Sequence, residues 1–300
     1  MINIFEIAFF VILGLLLRRL RLNSTNLAAT LNRAAVYLAL PALILLKVPE
    51  LDFSVETLII ALFAWGMVLM SVLVILIAAR KLAWSRAVTG TLLMVVPLGN
   101  TGFMGVPMIK AFFGDAGLPH LIIYDQLGTL LILVSYGSFI AARYGDGRQG
   151  IEIGTLLRRI FLFPPMISFL AALVLRGVAY PHGLSVVFQA GALALTPLVM
   201  TAIGLQLKIR MNMNILIPFS YGMTVKLLLA PLLVFLVCRL FGLSGLAYDV
   251  TILEAGMPPM ITAGAMAIAA KMDADLAVAM SGLGIIIAFL SLPLIYLVLI

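Results

Sequence analysis

Apolar stretches long enough to cross a membrane succeed one another along this chain, about ten of them, and little else is left over. They run from Ile2 to Leu17 and then over residues 26–47, 56–79, 87–111, 117–141, 159–179, 184–208, 214–241, 247–270 and 276–299. A bilayer core takes about 20 apolar residues of helix, so the pattern reads as an all-helical, multi-pass membrane protein. No soluble core could hide this material: 64% of the 300 residues are hydrophobic and 10% are charged, against about 25% charged in an ordinary globular chain. A soluble enzyme and a disordered chain are excluded. The net charge of +7 does not point to nucleic acid, because the basic residues sit in small groups between the apolar runs. The single cysteine, Cys238, excludes an intrachain disulfide, and no CxxC or HExxH pattern offers a metal site.

The first run has Arg18, Arg19 and Arg21 behind it and no basic group before it, the reverse of a signal peptide. It is expected to be a retained first span with its N-terminus outside. The inner side then receives Arg18, Arg19, Arg21, Arg80, Lys81, Arg86, Arg143, Arg148, Arg158, Arg159, Lys208, Arg210 and Lys271, while the outer side keeps Lys47, Lys110, Arg176 and Arg239. That asymmetry sets orientation, and it places both termini outside in a cell inner (cytoplasmic) membrane, with lipid all round.

The longest polar stretch, Ala142 to Arg159, falls mid-chain and holds Gly145, Gly147, Gly150 and four arginines. It divides the chain into a five-helix half over 1–145, a cytoplasmic linker over 146–158 and a second five-helix half over 159–300. An odd number of spans per half inverts the second half relative to the first. Two echoes agree with a repeat. Leu38-Ala39-Leu40-Pro41 resembles Leu193-Ala194-Leu195-Thr196-Pro197, and Leu98-Gly99-Asn100-Thr101-Gly102-Phe103-Met104 faces Leu253-Glu254-Ala255-Gly256-Met257-Pro258-Pro259, both at an offset near 156.

The fourth span carries Pro97, Gly99, Asn100, Gly102, Gly105 and Pro107 in its middle, and the ninth carries Gly256, Pro258, Pro259 and Gly264. Proline removes a backbone donor and clashes with the preceding turn, and glycine adds backbone freedom, so both spans are expected to unwind at membrane depth. Freed amides and carbonyls must be buried in protein or line a wet cavity. One such break is a packing kink; two, in corresponding spans of inverted halves, mark a binding site. Unwinding presents helix N-termini, whose amides favour an anion, and the Asn100 side chain adds a donor without charge. A small organic anion is the expected cargo.

At these residues the chain resembles the auxin efflux carrier family, as a bacterial-type, PIN-like member of the bile, arsenite and riboflavin transporter superfamily. The resemblance rests on Asn100-Thr101-Gly102-Phe103-Met104-Gly105-Val106-Pro107, followed by Lys110-Ala111-Phe112-Phe113-Gly114. It implies a fold similar to that of bile-acid sodium symporters, ten helices in two inverted five-helix repeats, with helices 4 and 9 crossing at their breaks. It further implies a scaffold of helices 1, 2, 6 and 7, which is also a homodimer surface, and a transport domain of helices 3–5 and 8–10. Asn100 and Pro107 would lie at the crossover with Pro258 or Pro259 opposite, and Thr101 beside them. The mid-chain loop is shorter than in the plant carriers, which argues against regulation by a long phosphorylated loop. The acidic residues near the expected crossover argue against a simple potential-driven uniport.

A charge at the bilayer centre costs about 2.5–3.5 kcal/mol on insertion scales and calls for a partner or a water path. Asp125 lies well into the fifth span, in Tyr124-Asp125-Gln126-Leu127-Gly128-Thr129, and Glu254 stands just before the break in the ninth. With Asn100, Thr101 and Thr129 they could supply oxygens for a sodium ion, as bile-acid symporters do between spans 4, 5 and 9, or a carboxylate for a proton. The plainer alternative pairs them with Lys226 or a neighbouring backbone amide. Lys226, mid-way in span eight, could hold the cargo carboxylate, pair with Glu254, or place its ammonium where sodium would sit. Arg33 is expected to snorkel to the inner interface, His120 and His182 to lie near outer surfaces, and the methionines to pack or face lipid.

The function expected is a secondary active transporter of a small carboxylate by alternating access, coupled to sodium or protons, with no other cofactor and no catalytic residues. The alternatives are an uncoupled uniporter or channel, and a membrane anion sensor. An intramembrane aspartyl protease is excluded by the missing Gly-x-Gly-Asp half of its signature.

Overall fold

The computed structural model describes residues 4–20, 24–51, 54–146, 153–207 and 211–299. Among these residues the only extended pairing is one isolated bridge. Six helices are long and apolar enough to cross a membrane: Asn26–Glu50, Val55–Lys81, Asp115–Tyr144, His182–Gln206, Met213–Leu240 and Ala274–Leu299. Shorter apolar helices occupy the remaining runs, namely Ile4–Arg19, Arg86–Val95, Thr101–Phe113, Pro164–Val174, Leu246–Ala255 and Ile261–Ala269. Every expected apolar run therefore carries helix, the fourth and ninth of them in two pieces. The linker expected over 146–158 contains the start of a further helix, Ile153–Phe161, whereas residues 147–152, with Arg148, lie outside the described residues, as do Arg21, Lys208 and Arg210.

Side-chain distribution on the long helices is that of a chain dissolved in lipid. On Val55–Lys81 the exposed face is Leu58, Leu62, Trp65, Leu69, Leu73 and Ile77 at helical spacing, while Ala61, Ala64, Met67, Val68 and Ser71 are buried. Ala274–Leu299 repeats this, with Leu290, Leu294 and Leu297 outward and Ala277, Ser281, Gly284 and Ala288 inward. The small residues on these inward faces let the backbones approach closely, beside large buried ones such as Ile60, Ile75, Met280 and Leu292.

The chain divides into two compact units. One contains Met1–Ser54, Gly102–Ile122 and Arg158–Leu207. In it Ile4–Arg19 packs along His182–Gln206 with no side chain between them at one point: a Cβ on Gly14 would stand 2.2 Å from the Thr201 carbonyl oxygen, and one on Gly204 2.2 Å from that of Val11. Asn26–Glu50 lies on the same helix, where a Cβ on Gly191 would stand 2.8 Å from that of Ala42. The chain after Pro164–Val174 is tied to that helix and its end by Arg176, which donates to the Leu51 carbonyl at 2.6 Å, and by the Tyr180 hydroxyl, which donates to that of Leu45 at 3.2 Å. Arg33 and His182 are exposed and His120 is half-buried.

The other unit contains Val55–Thr101, Ile123–Leu157 and Lys208–Ile300. Both breaks belong to it. So do the buried polar residues Asn100, Thr101, Asp125, Gln126, Thr129, Lys226 and Glu254.

Candidate functional site

The two breaks have the same length and meet through corresponding positions. Helix stops at Val95 and at Ala255, resumes at Thr101 and at Ile261, and is absent over residues 96–100 and 256–260. The two segments pair antiparallel through an isolated bridge between Gly99 and Pro259. The Asn100 amide donates to the Pro258 carbonyl at 2.8 Å, and the Met260 amide donates to the Leu98 carbonyl at 2.9 Å. Donors at 100 and 260 and acceptors at 98 and 258 are related by a local two-fold through the bridge. The prolines fit this arrangement because Pro97, Pro258 and Pro259 occupy positions where no amide is used.

This pairing sets the correspondence between the breaks at 160 positions, Val95 with Ala255 and Thr101 with Ile261. The sequence echo placed Leu98 opposite Leu253, five positions short of its structural counterpart Pro258. Apolar spans resemble one another by composition, so a self-comparison slides easily along them.

Three of the buried polar groups lie on wide turns. Thr101, Asp125 and Lys226 each lie on a π-helical turn, Thr101–Gly105, Tyr124–Leu130 and Val225–Leu229. Such turns insert a residue into the helix, re-aim its side chains and recur at functional positions. The one at Asp125 is held by the neighbouring helix: a Cβ on Gly128 would stand 2.4 Å from that of Ala64, and the Trp65 indole donates to the Leu127 carbonyl at 3.0 Å. Asp125 accepts from the Thr101 hydroxyl at 2.5 Å and from the Gln126 amide at 2.8 Å, one donor per carboxylate oxygen.

Glu254 is different. It is 0% exposed, and neither of its oxygens accepts a hydrogen bond among the described residues. The Lys226 ammonium donates instead to the next carbonyl along, Ala255, at 3.0 Å. Asn100 is buried, and its side-chain amide nitrogen finds no acceptor among the described residues. The arrangement can thus offer an uncharged donor and an undonated carboxyl beside a two-stranded piece of open backbone.

The whole chain is similar to known proteins. Residues 1–296 match the family described as membrane transport protein. The chain belongs to that family, the one that includes the auxin efflux carriers. An "uncharacterized transporter" of Methanothermobacter thermautotrophicus is 28% identical to this transporter over 297 residues, 97% of this chain and 96% of the relative. Another, from Methanocaldococcus jannaschii, is 26% identical over 243 residues, 77% of this chain and 76% of the relative.

The structure of the transporter brings together most of the residues singled out from the sequence. Asn100, Thr101, Pro258 and Pro259 lie at the paired breaks; Asp125 is joined to Thr101, and Thr129 is buried one turn further along the Asp125 helix. Pro107 is buried in Val106–Phe113, which is grouped with the other unit. Two residues escaped the sequence reading. Gln126 satisfies half of Asp125, and Gly99 leaves room for Lys226, whose nitrogen would stand 3.0 Å from any Cβ placed there. Gln126 had a signal, a second buried polar group beside a buried acid; Gly99 read only as a helix breaker.

Proposed function

We propose that this membrane transporter is a secondary carrier of a small organic anion, a carboxylate, that works by alternating access around the paired breaks. The observation that carries the reading is the Asn100 side chain, a buried donor without an acceptor at the edge of open backbone. Such a group is costly to keep and is retained where an incoming ligand satisfies it. An amide donor binds a carboxylate without the desolvation cost of a second charge. Thr101 and the break prolines complete the cradle, and Pro107 shapes the half-helix that follows.

Two inverted five-helix repeats fit the recurrence of broken helix, extended bridge and resumed helix at a spacing of 160 residues. The division of the chain also fits a scaffold built from the first, second, sixth and seventh runs, with most of the remainder as the moving part. Asp125, Glu254 and Thr129 lie in the same unit as the cradle and are the groups through which a co-transported cation would act. The grouping of the basic residues supports an orientation with both termini outside an inner membrane.

Counterflow in reconstituted vesicles tests the reading. Vesicles loaded with one of a panel of mono- and dicarboxylates should accumulate the labelled acid that matches, and Asn100→Ala should weaken this at low concentrations of the acid without loss of folded protein. Absence of counterflow for the whole panel, with specific binding retained, would favour an anion sensor. Conductance without counterflow would favour a channel.

A further inference from the structure

The resemblance to sodium symporters makes sodium the coupling ion to test against the residues present, and they do not fit it. Ala255 ends the first half of the second broken span, where the last carbonyls of a helix carry partial negative charge and attract a cation. A positive group is already there. Lys226 is 5% exposed and its ammonium donates to the Ala255 carbonyl at 3.0 Å. Glu254, the residue before Ala255 on the same helix, is fully buried beside it. On the far side lies Gly99, where any side chain would begin 3.0 Å from the ammonium nitrogen and 3.4 Å from the carbon that bears it.

We infer that Lys226 is the resident cation of the crossover: its tethered ammonium takes the position, the carbonyl and the countercharge of a sodium ion, and the native carrier has no sodium step. This rests on the transport reading above and deepens it. Two positive charges cannot share one carbonyl in a site of low dielectric, so sodium is excluded as long as Lys226 stays. The oxygens near it divide accordingly. Asp125 is satisfied by Thr101 and Gln126, whereas Glu254, one residue before the carbonyl that Lys226 holds, keeps both oxygens without a donor among the described residues. Gly99 is part of the same device, since it keeps open the space that the ammonium fills.

Removing the tether should therefore create a sodium site. The test is thermal stability of the purified protein in detergent, in sodium chloride against the same concentration of potassium chloride. The wild type should show no sodium-specific shift in Tm. Lys226→Ala should gain one of a few degrees, and Lys226→Ala with Glu254→Gln should lose it again. Lys226→Ser, which also removes the tethered ammonium, should show the same response and covers the case in which Lys226→Ala does not fold. A sodium-specific shift or radiolabelled sodium binding in the wild type would overturn the inference, and so would silence of both Lys226→Ala and Lys226→Ser. These readouts need no organic acid, so they can fail while counterflow succeeds, and the reverse.

Discussion

Gly14 and Gly204 meet backbone to backbone: a Cβ on either would stand 2.9 Å from the Cα of the other and 2.2 Å from a main-chain carbonyl oxygen. Main chain cannot step aside as a side chain can. Gly14→Ala or Gly204→Ala should therefore destabilise the protein by about 3 kcal/mol or more, at the upper end for overpacking. The measurement is the fraction surviving a heat step, read by size-exclusion chromatography. Wild-type survival of both variants would contradict this packing.

Gly128 makes a softer contact, with the Cβ of Ala64 rather than its backbone. Gly128→Ala should cost about 1–3 kcal/mol, and adding Ala64→Gly should recover most of it. Thermal midpoints of the two single variants and the double variant give the coupling. Additive losses would mean that the two helices are held apart by something else.

The Asn100 side-chain nitrogen donates to nothing among the described residues, so Asn100→Ala should leave the thermal midpoint within a degree or two of wild type. A lost hydrogen bond to a charged cargo is worth about 1.5–3 kcal/mol, which corresponds to roughly a 10- to 100-fold rise in the apparent KM for counterflow. Asn100→Asp should be worse, because it sets a negative charge against an anion. Equal transport by Asn100→Asp and wild type would exclude an anionic cargo at this position.

Thr101→Val deletes a donor from a buried carboxylate oxygen and should cost about 1–3 kcal/mol. Asp125→Asn should be milder, since the new amide still accepts from Thr101 and can meet Gln126 if that side chain turns its free oxygen inward. Chemical denaturation in mixed micelles ranks the two. The reverse order would show that the Asp125 charge, rather than its hydrogen bonds, organises this corner.

What could be read in advance followed from strong local chemistry. Proline and glycine marked both breaks, and run length marked the helices, because each of these acts within a few residues of itself. The π-helical turns that carry Asp125 and Lys226 left no such mark. The Asp125 turn packs through Gly128 on Ala64, residues 64 positions apart in the chain. The same holds for Gly99, whose purpose is set by a lysine more than a hundred residues away. An ion pair between Lys226 and Glu254 was a reasonable expectation from charge alone, but the ammonium donates to the adjacent main-chain carbonyl instead.

The join between the breaks uses only amides and carbonyls, which every residue brings with it, and the two donating positions are Asn100 and Met260. Mutational drift at the crossover therefore leaves its scaffolding intact unless proline arrives at one of those two places. Side chains around it are free to diversify. A lineage built on this frame could exchange one acid for another by a few substitutions, without having to reinvent the machine.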